Sequence, residues 1–251
     1  MKKSLWIALC SAVLLNLSAC SQQVNCQTAV ECFNMGIDFD KKQDYAQAKI
    51  YYEKAANQGY AKAQFNLGIM YEYGQGITQD YAQAFEWYKK AAEQGHAKAQ
   101  FNLGYMYRHG QGVTQDYTQA IEWLHKAAQQ GDVKAQNGLG YMYANGEGVT
   151  RDYTQAKQWY EKAIEQGDAR AQNNLGALYK EGHGVTQSYT QAKQWYEKAA
   201  EQGDAMAYGN LGILYEKGLG VEKDLTKAKK YYQQACNSDE KIACDRLEKI
   251  N

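Results

Sequence analysis

Apolar and small residues return along this chain in steps of three and four, and the whole pattern then returns every 36 residues, marked by Gly68, Gly104, Gly140, Gly176 and Gly212. Around Gly68, Ala63, Leu67, Met70 and Tyr71 keep helical spacing, which predicts an amphipathic helix, called helix A. Gly74-Gln75-Gly76 ends it, since glycine accepts the left-handed conformation beyond a helix C-terminus. Asp80 then stands at an N-cap, and Asp44, Asp116, Asp152, Ser188 and Asp224 hold the same place. Three residues on, Gln47, Gln83, Gln119, Gln155 and Gln191 complete a capping-box pattern that Lys227 breaks. Helix B follows with Tyr81, Ala84, Trp87, Tyr88, Ala91 and Ala92 and stops at Gly95. Its apolar residues cover two faces, as expected of a helix held between its own helix A and the next unit. Self-similarity at this period predicts a solenoid, in which each unit buries apolar surface only against its neighbours.

The recurring text is A-x-A-Q-x-x-L-G-x-x-Y-x-x-G-x-G-V, then Asp-Tyr, then A-x-x-W-Y-x-K-A-A-E-Q-G, over about residues 30 to 250. It resembles the Sel-one-like repeat (SLR), a relative of the tetratricopeptide repeat with a longer loop inside the helix pair. The resemblance implies an all-α, right-handed superhelical α/α solenoid: about six helix pairs plus a C-terminal capping helix, one domain over residues 30–251. The first unit departs from the pattern, because Gly36 and Gly68 are 32 residues apart and Asp40-Lys41-Lys42-Gln43 replaces the glycine loop. That unit is closer to a tetratricopeptide hairpin. At the other end Glu248 stands where a glycine would fall, so Ile242 to Ile250 reads as a cap.

Residues 1–19 lie outside the solenoid pattern. Lys2 and Lys3 precede an apolar run of 13 residues, Leu5 to Leu17, too short to span a bilayer core of about 30 Å. The segment closes on Leu17-Ser18-Ala19-Cys20, which resembles a bacterial lipobox. This implies cleavage before Cys20, acylation of that cysteine, and a short tether over 20–29. Two or three acyl chains give stable anchorage where one does not. Ser21 is not the aspartate associated with inner-membrane retention, so an outer-membrane lipoprotein facing the periplasm is expected. An ordinary secretory leader with an incidental Cys20 would instead release the chain into the periplasm.

Export is consistent with the cysteines. With Cys10 and Cys20 set aside, four of the six remain, and four allow three pairings. Almost the whole solenoid separates the N-terminal two from the C-terminal two, so Cys26–Cys32 and Cys236–Cys244 are the easy pairs. Cys32 and Cys244 both fall at the repeat position of Gln64, and Cys236 falls at that of Ala56. The C-x7-C spacing resembles the cysteine-rich secreted branch of the SLR family. No histidine lies near either pair, which argues against a metal and for disulfides.

Of 28 basic residues two belong to the leader, leaving 26 against 28 acids and a net charge near −2. That is not the basic footprint a nucleic acid requires. Nor do the residues converge on chemistry or a cofactor site. His96, His109, His125 and His183 occupy four different repeat positions, and the recurring G-x-G is explained by helix termination. Ser238-Asp239-Glu240-Lys241 matches S-x-x-K without an accompanying S-D-N or K-T-G. Some cysteine-rich SLR relatives have been described as penicillin-binding or as β-lactamases, so the resemblance implies that activity as the alternative to a non-catalytic scaffold.

In helix-pair solenoids of this kind helix A lines the concave side. The helix wheel points Lys62, Phe65, Ile69, Glu72 and Tyr73 into that groove. Lys62, Lys98, Lys134 and Arg170 then form a positive ladder, beside an aromatic strip of Phe33, Phe65, Phe101, Tyr105 and Tyr141. Aromatic groups flanked by cations suit an extended or helical peptide carrying acidic residues. The competing expectation is that the phenylalanines simply pack against adjacent helices.

Overall fold

The computed structural model describes residues 26–238 and 240–250. Among these it contains thirteen helices and no strand. Six are A helices: α1 (Ala29–Lys41), α3 (Ala61–Tyr73), α5 (Ala97–His109), α7 (Val133–Asn145), α9 (Ala169–Glu181) and α11 (Ala205–Lys217). Six B helices alternate with them: α2 (Tyr45–Asn57), α4 (Tyr81–Glu93), α6 (Tyr117–Gln129), α8 (Tyr153–Glu165), α10 (Tyr189–Glu201) and α12 (Leu225–Cys236). The cap, α13, runs Lys241–Ile250. Each helix packs on the one before and the one after it. This is the nearest-neighbour arrangement of a solenoid.

The helix ends follow from local chemistry. Asp80 accepts hydrogen bonds from the N–H groups of Ala82 and Gln83, and Asp116 and Asp152 repeat this. The capping box itself forms at Thr28 and Glu31, where the Glu31 carboxylate also takes the Thr28 N–H. The five glutamines expected to complete it supply an N–H to the cap but are not paired with its backbone. A glutamine is neutral and gains less than a carboxylate from the helix dipole there. Helix A ends on Gly74 in the left-handed region, φ 69°. In the first unit Gln43 takes that conformation in place of glycine, φ 60°.

In five of the six pairs the glycine of helix A admits a tyrosine of helix B, and in the third Gly104 admits Leu124. A Cβ built on Gly68 would stand 2.4 Å from the Tyr88 ring, so only glycine permits this approach. Tyr52, Tyr88, Tyr196 and Tyr232 are buried at this place. Leu67 and Met70 complete the buried face of α3, while Tyr71 is only half-buried and packs on the next cluster. Phe85, not Tyr81, belongs to the core of α4. Trp87 and Trp123 pack on the cluster of the preceding unit, and Lys90, Lys126, Lys162 and Lys198 lie over Trp87, Trp123, Trp159 and Trp195 at 3.8–4.2 Å. These lysines are exposed, and each holds its ammonium over an indole face.

The units are also joined by a buried polar ladder. Gln64 donates to the Ala56 carbonyl of α2 (3.2 Å) and accepts from Gln94 at the end of α4 (2.7 Å). Gln100 and Gln136 repeat both bonds one and two units on, with Gln130 and Gln166 as donors. Each glutamine thus ties three consecutive helices. At the two ends the ladder gives way to disulfides, Cys26–Cys32 and Cys236–Cys244. The second replaces, at the same two repeat positions, the bond that Gln64 makes to Ala56.

Candidate functional site: the helix A face

Helices α7 and α9 touch directly, and one groove is lined from α5 through α7 and α9 to the start of α11. The A layer is therefore the inner side of the solenoid. The groove, of about 730 Å³, holds Phe101, Tyr105, Lys134, Tyr141 and Arg170. Lys62, Phe65 and Lys98 line a second depression of about 320 Å³ on the same layer. The expected ladder and strip thus fall into two adjoining hollows.

In the larger groove, Tyr105 and Tyr141 are each 41% exposed, the Tyr105 ring lying 4.1 Å from that of His109. Arg108 sits over Tyr141 at 4.4 Å and is fixed by a two-point ion pair to Glu147 (2.7 and 3.3 Å). Its charge is largely answered within the chain. Lys134 lies 6.0 Å from the Phe101 ring with its side chain exposed, and Arg170 is also exposed. The ladder is not purely positive. Asp168 and Asp204, which cap α9 and α11, stand in the same groove beside Arg170.

In the smaller hollow the caps differ. His96 replaces aspartate and caps α5 by accepting from the Ala99 N–H at Nδ1. Burial, reinforced by Lys98 and Lys62, holds its pKa below the ordinary 6.5. The neutral imidazole is thus favoured, and its lone pair can serve the cap. Lys62 and Lys98 flank an aromatic patch of Phe33, Phe65 and His96 with no carboxylate among the lining residues. This is the more basic half of the face.

The phenylalanines combine both expected roles. Phe65 is half-buried, its ring 5.7 Å from Tyr88 and 4.7 Å from His96, yet it lines the hollow. Phe101 likewise packs on the core of α6–α7 and lines the groove. Two residues of the helix wheel are not groove residues in this sense. Ile69 packs on the cluster of α4–α5, and Glu72 accepts the Tyr88 hydroxyl. The 3.6-residue wheel places a side chain's direction but not the partner it finds.

Cys20 lies outside the described residues. Ser238 lies in the turn after α12, exposed, with its hydroxyl donating to the Gln234 carbonyl at 3.3 Å. It closes the helix end and borders the large groove. Among the described residues no group of three or more His, Cys, Asp or Glu could hold a metal ion, and no helix is long and apolar enough to cross a membrane. The buried glutamines and the aspartate caps of helix A were not singled out from sequence, and His96, whose scattered repeat position suggested surface variation, is instead a half-buried cap. The Gln within A-x-A-Q was visible in the repeat, but polar residues are ordinarily assigned to the surface.

Fold and surface together define an α-solenoid repeat protein with a continuous inner face. Six consecutive stretches, 25–60, 61–96, 97–132, 133–168, 169–204 and 205–240, match the family described as Sel1 repeat. The chain belongs to the Sel1 repeat family. It is similar to a Sel1 repeat protein from Oxalobacter formigenes, 36% identical with a TM-score of 0.81, over 89% of this chain and 87% of that one. It is also similar to c5321, a protective antigen present in uropathogenic Escherichia coli strains, 40% identical with a TM-score of 0.78. That likeness covers 88% of this chain and 48% of the antigen, so this chain spans about half the antigen's length. Immunity protein Pa5087 from Pseudomonas aeruginosa is 25% identical with a TM-score of 0.51, over 76% of this chain and 74% of that one. No curated protein matches the chain. Sel1 and tetratricopeptide-like repeats mediate protein–protein interaction, and the Sel1 repeat is generally a non-catalytic scaffold fold.

Proposed function

We propose that this protein is a lipid-anchored scaffold of the bacterial cell envelope that holds a partner protein or peptide on its helix A face. The observation that carries this reading is the convergence of Phe101, Tyr105, Lys134, Tyr141 and Arg170, from three successive A helices, in one groove. Exposed rings supply affinity at such surfaces, while rim charges steer encounter and orient the partner. The adjoining hollow adds Lys62, Phe65 and Lys98, so an acidic polypeptide is the complementary occupant. The anchor is the acylated Cys20, separated from α1 by only eight residues, Ser21 to Thr28, which keeps the solenoid near the membrane surface.

Crosslinking in intact cells, followed by mass spectrometry, tests the scaffold reading. A partner should be captured by the wild type and lost on Tyr105→Ala with Tyr141→Ala, at a nearly unchanged thermal midpoint. Capture that survives this pair moves the binding face elsewhere. Cys20→Ser should shift the chain from the membrane to the soluble periplasmic fraction, and retention in the membrane contradicts the anchor. Nitrocefin turnover by the purified chain, abolished by Ser238→Ala, would favour the β-lactamase alternative instead.

A further inference from the structure

The first two units each seat one aromatic ring of helix A in a socket. In the first unit the ring of Phe33 lies between Tyr52 (5.8 Å) and Tyr60 (5.1 Å). In the second, Phe65 lies between Tyr88 (5.7 Å) and His96 (4.7 Å). One wall is the buried tyrosine of helix B, and the other is the residue that opens the next helix A. The structural equivalents in the last pair are Gly209, Tyr232 and Glu240. Gly209 brings no side chain, and a Cβ built on it meets nothing within 4 Å.

What remains there is a pocket of about 200 Å³ lined by Met206, Gly209, Ile213, Tyr232, Ile242 and Ala243, with Asn210, Glu240 and Arg246 forming a polar side. A dry apolar cavity of about 150 Å³ already admits a benzene ring. Opposite the polar side, two exposed apolar side chains border the opening. Met206 and Ile242 are 45% and 65% exposed, and they occupy the repeat position held by Lys62, Lys98, Lys134 and Arg170 in the four preceding units. The basic ladder therefore ends in two exposed apolar side chains beside the open socket. The large groove reaches Asp204 and Ala205, immediately before Met206, so groove and socket adjoin.

We infer that this socket receives an aromatic side chain of the partner polypeptide, in the place that Phe33 and Phe65 fill from within the chain. The inference rests on the reading of the A layer as the docking face, and adds its chemistry: acidic residues along the basic half, one aromatic anchor at the C-terminal end. A ring entering here would meet the Tyr232 edge and the methyl groups of Ile213 and Ile242, and a buried aromatic anchor in a preformed pocket is the usual centre of such an interface.

Methyl NMR of the full chain, with N-acetyl-phenylalaninamide as the probe, tests this. The methyl signals of Met206, Ile213 and Ile242 should move upfield or downfield by ring current and saturate, with a dissociation constant on the order of 1 mM, as expected of a single small side chain. Gly209→Phe should show comparable shifts without probe and respond at least about tenfold more weakly to it. Gly209→Ala should bind as the wild type does, and guards against a folding defect in the larger variant. Unmoved methyls, an unaltered response in Gly209→Phe, or an equal response to N-acetyl-leucinamide would each overturn the inference. So would shifts that appear on concentrating the protein alone, which would assign the socket to a second copy. Loss of the cellular crosslink in the Tyr105 and Tyr141 double variant with no methyl response would retire the socket and leave the groove. A methyl response with the crosslink intact would do the reverse.

Discussion

Tyr88 and Tyr196 stand at the same repeat position and find different surroundings. Both are buried, and burial pushes both phenols above their ordinary pKa of 10. The Tyr88 hydroxyl donates to Glu72, whereas that of Tyr196 has no hydrogen-bond partner. At the place of Glu72 the later unit has Lys180, which pairs with Glu181 at 3.0 Å. A hydrogen bond to a carboxylate contributes about 1.5–3 kcal/mol, and an unpaired buried hydroxyl costs about 1–3 kcal/mol. Denaturant melts should therefore show Tyr88→Phe losing about 2 kcal/mol, while Tyr196→Phe is neutral or gains up to about 1 kcal/mol. Equal losses would contradict the assignment. His96 makes a second prediction at this scale. Its folded pKa is depressed by burial, so the unfolded chain binds the proton more readily. The stability it contributes is complete above its ordinary 6.5 and is lost as pH falls through the lower, folded value. His96→Asp, the residue type that caps α7, α9 and α11, should flatten the fall in thermal midpoint between about pH 7.5 and about pH 5.5. His109 and His125, also depressed by burial, leave a residual slope.

At the scale of the element, helix pairing depends on one buried amide. Gln100 is 5% exposed and joins the end of α4, the start of α5 and the end of α6 through the Ala92 carbonyl and the Gln130 amide. Gln100→Leu keeps much of the volume but removes both hydrogen bonds that join the three helices, so it should cost about 1–2 kcal/mol in a chemical melt. Gln130 lies near the surface and can turn to water, so Gln130→Ala should cost about 1 kcal/mol or less. A reversed order would show that packing, not the amide, joins the units. Reduction of Cys236–Cys244 opens a loop of sequence separation 8, worth about 2 kcal/mol on chain entropy, and should loosen α13 first because, among the described residues, no later helix packs on it. Amide exchange with and without reductant would report it.

Across the whole molecule the solenoid separates residues that carry stability from residues that are free to bind. Trp123 packs from α6 on the cluster of α4 and α5 and so couples two units. Trp123→Ala should cost about 3 kcal/mol and raise amide exchange on both sides of the junction. Tyr105 and Tyr141 are part-exposed, against His109 and Arg108, so their removal should leave the melt nearly unchanged, within about 1 kcal/mol each. Phe65 and Phe101 serve both ends, so their alanine variants should lower the midpoint and weaken the partner together. A partner affinity that is insensitive to Lys98→Glu and Lys134→Glu, and to salt, would argue against an acidic occupant.

The helices, their caps and the family were legible in the residues because periodicity and capping are local: Leu67, Gly74 and Asp80 act within a few positions of themselves. The socket residues were legible one at a time but not as a socket. Gly209 reads in isolation as a weak helix residue, and only the aligned Tyr232 and Glu240 make it a cavity. The buried Gln64 ladder, the neutral His96 cap and the acids mixed into the groove were decided by tertiary structure. Each depends on groups 3 to 30 residues away, and whether a polar side chain is buried is set by the neighbour it meets, not by its own type. Sequence determined what each unit is; stacking decided which of its side chains remain available to anything else.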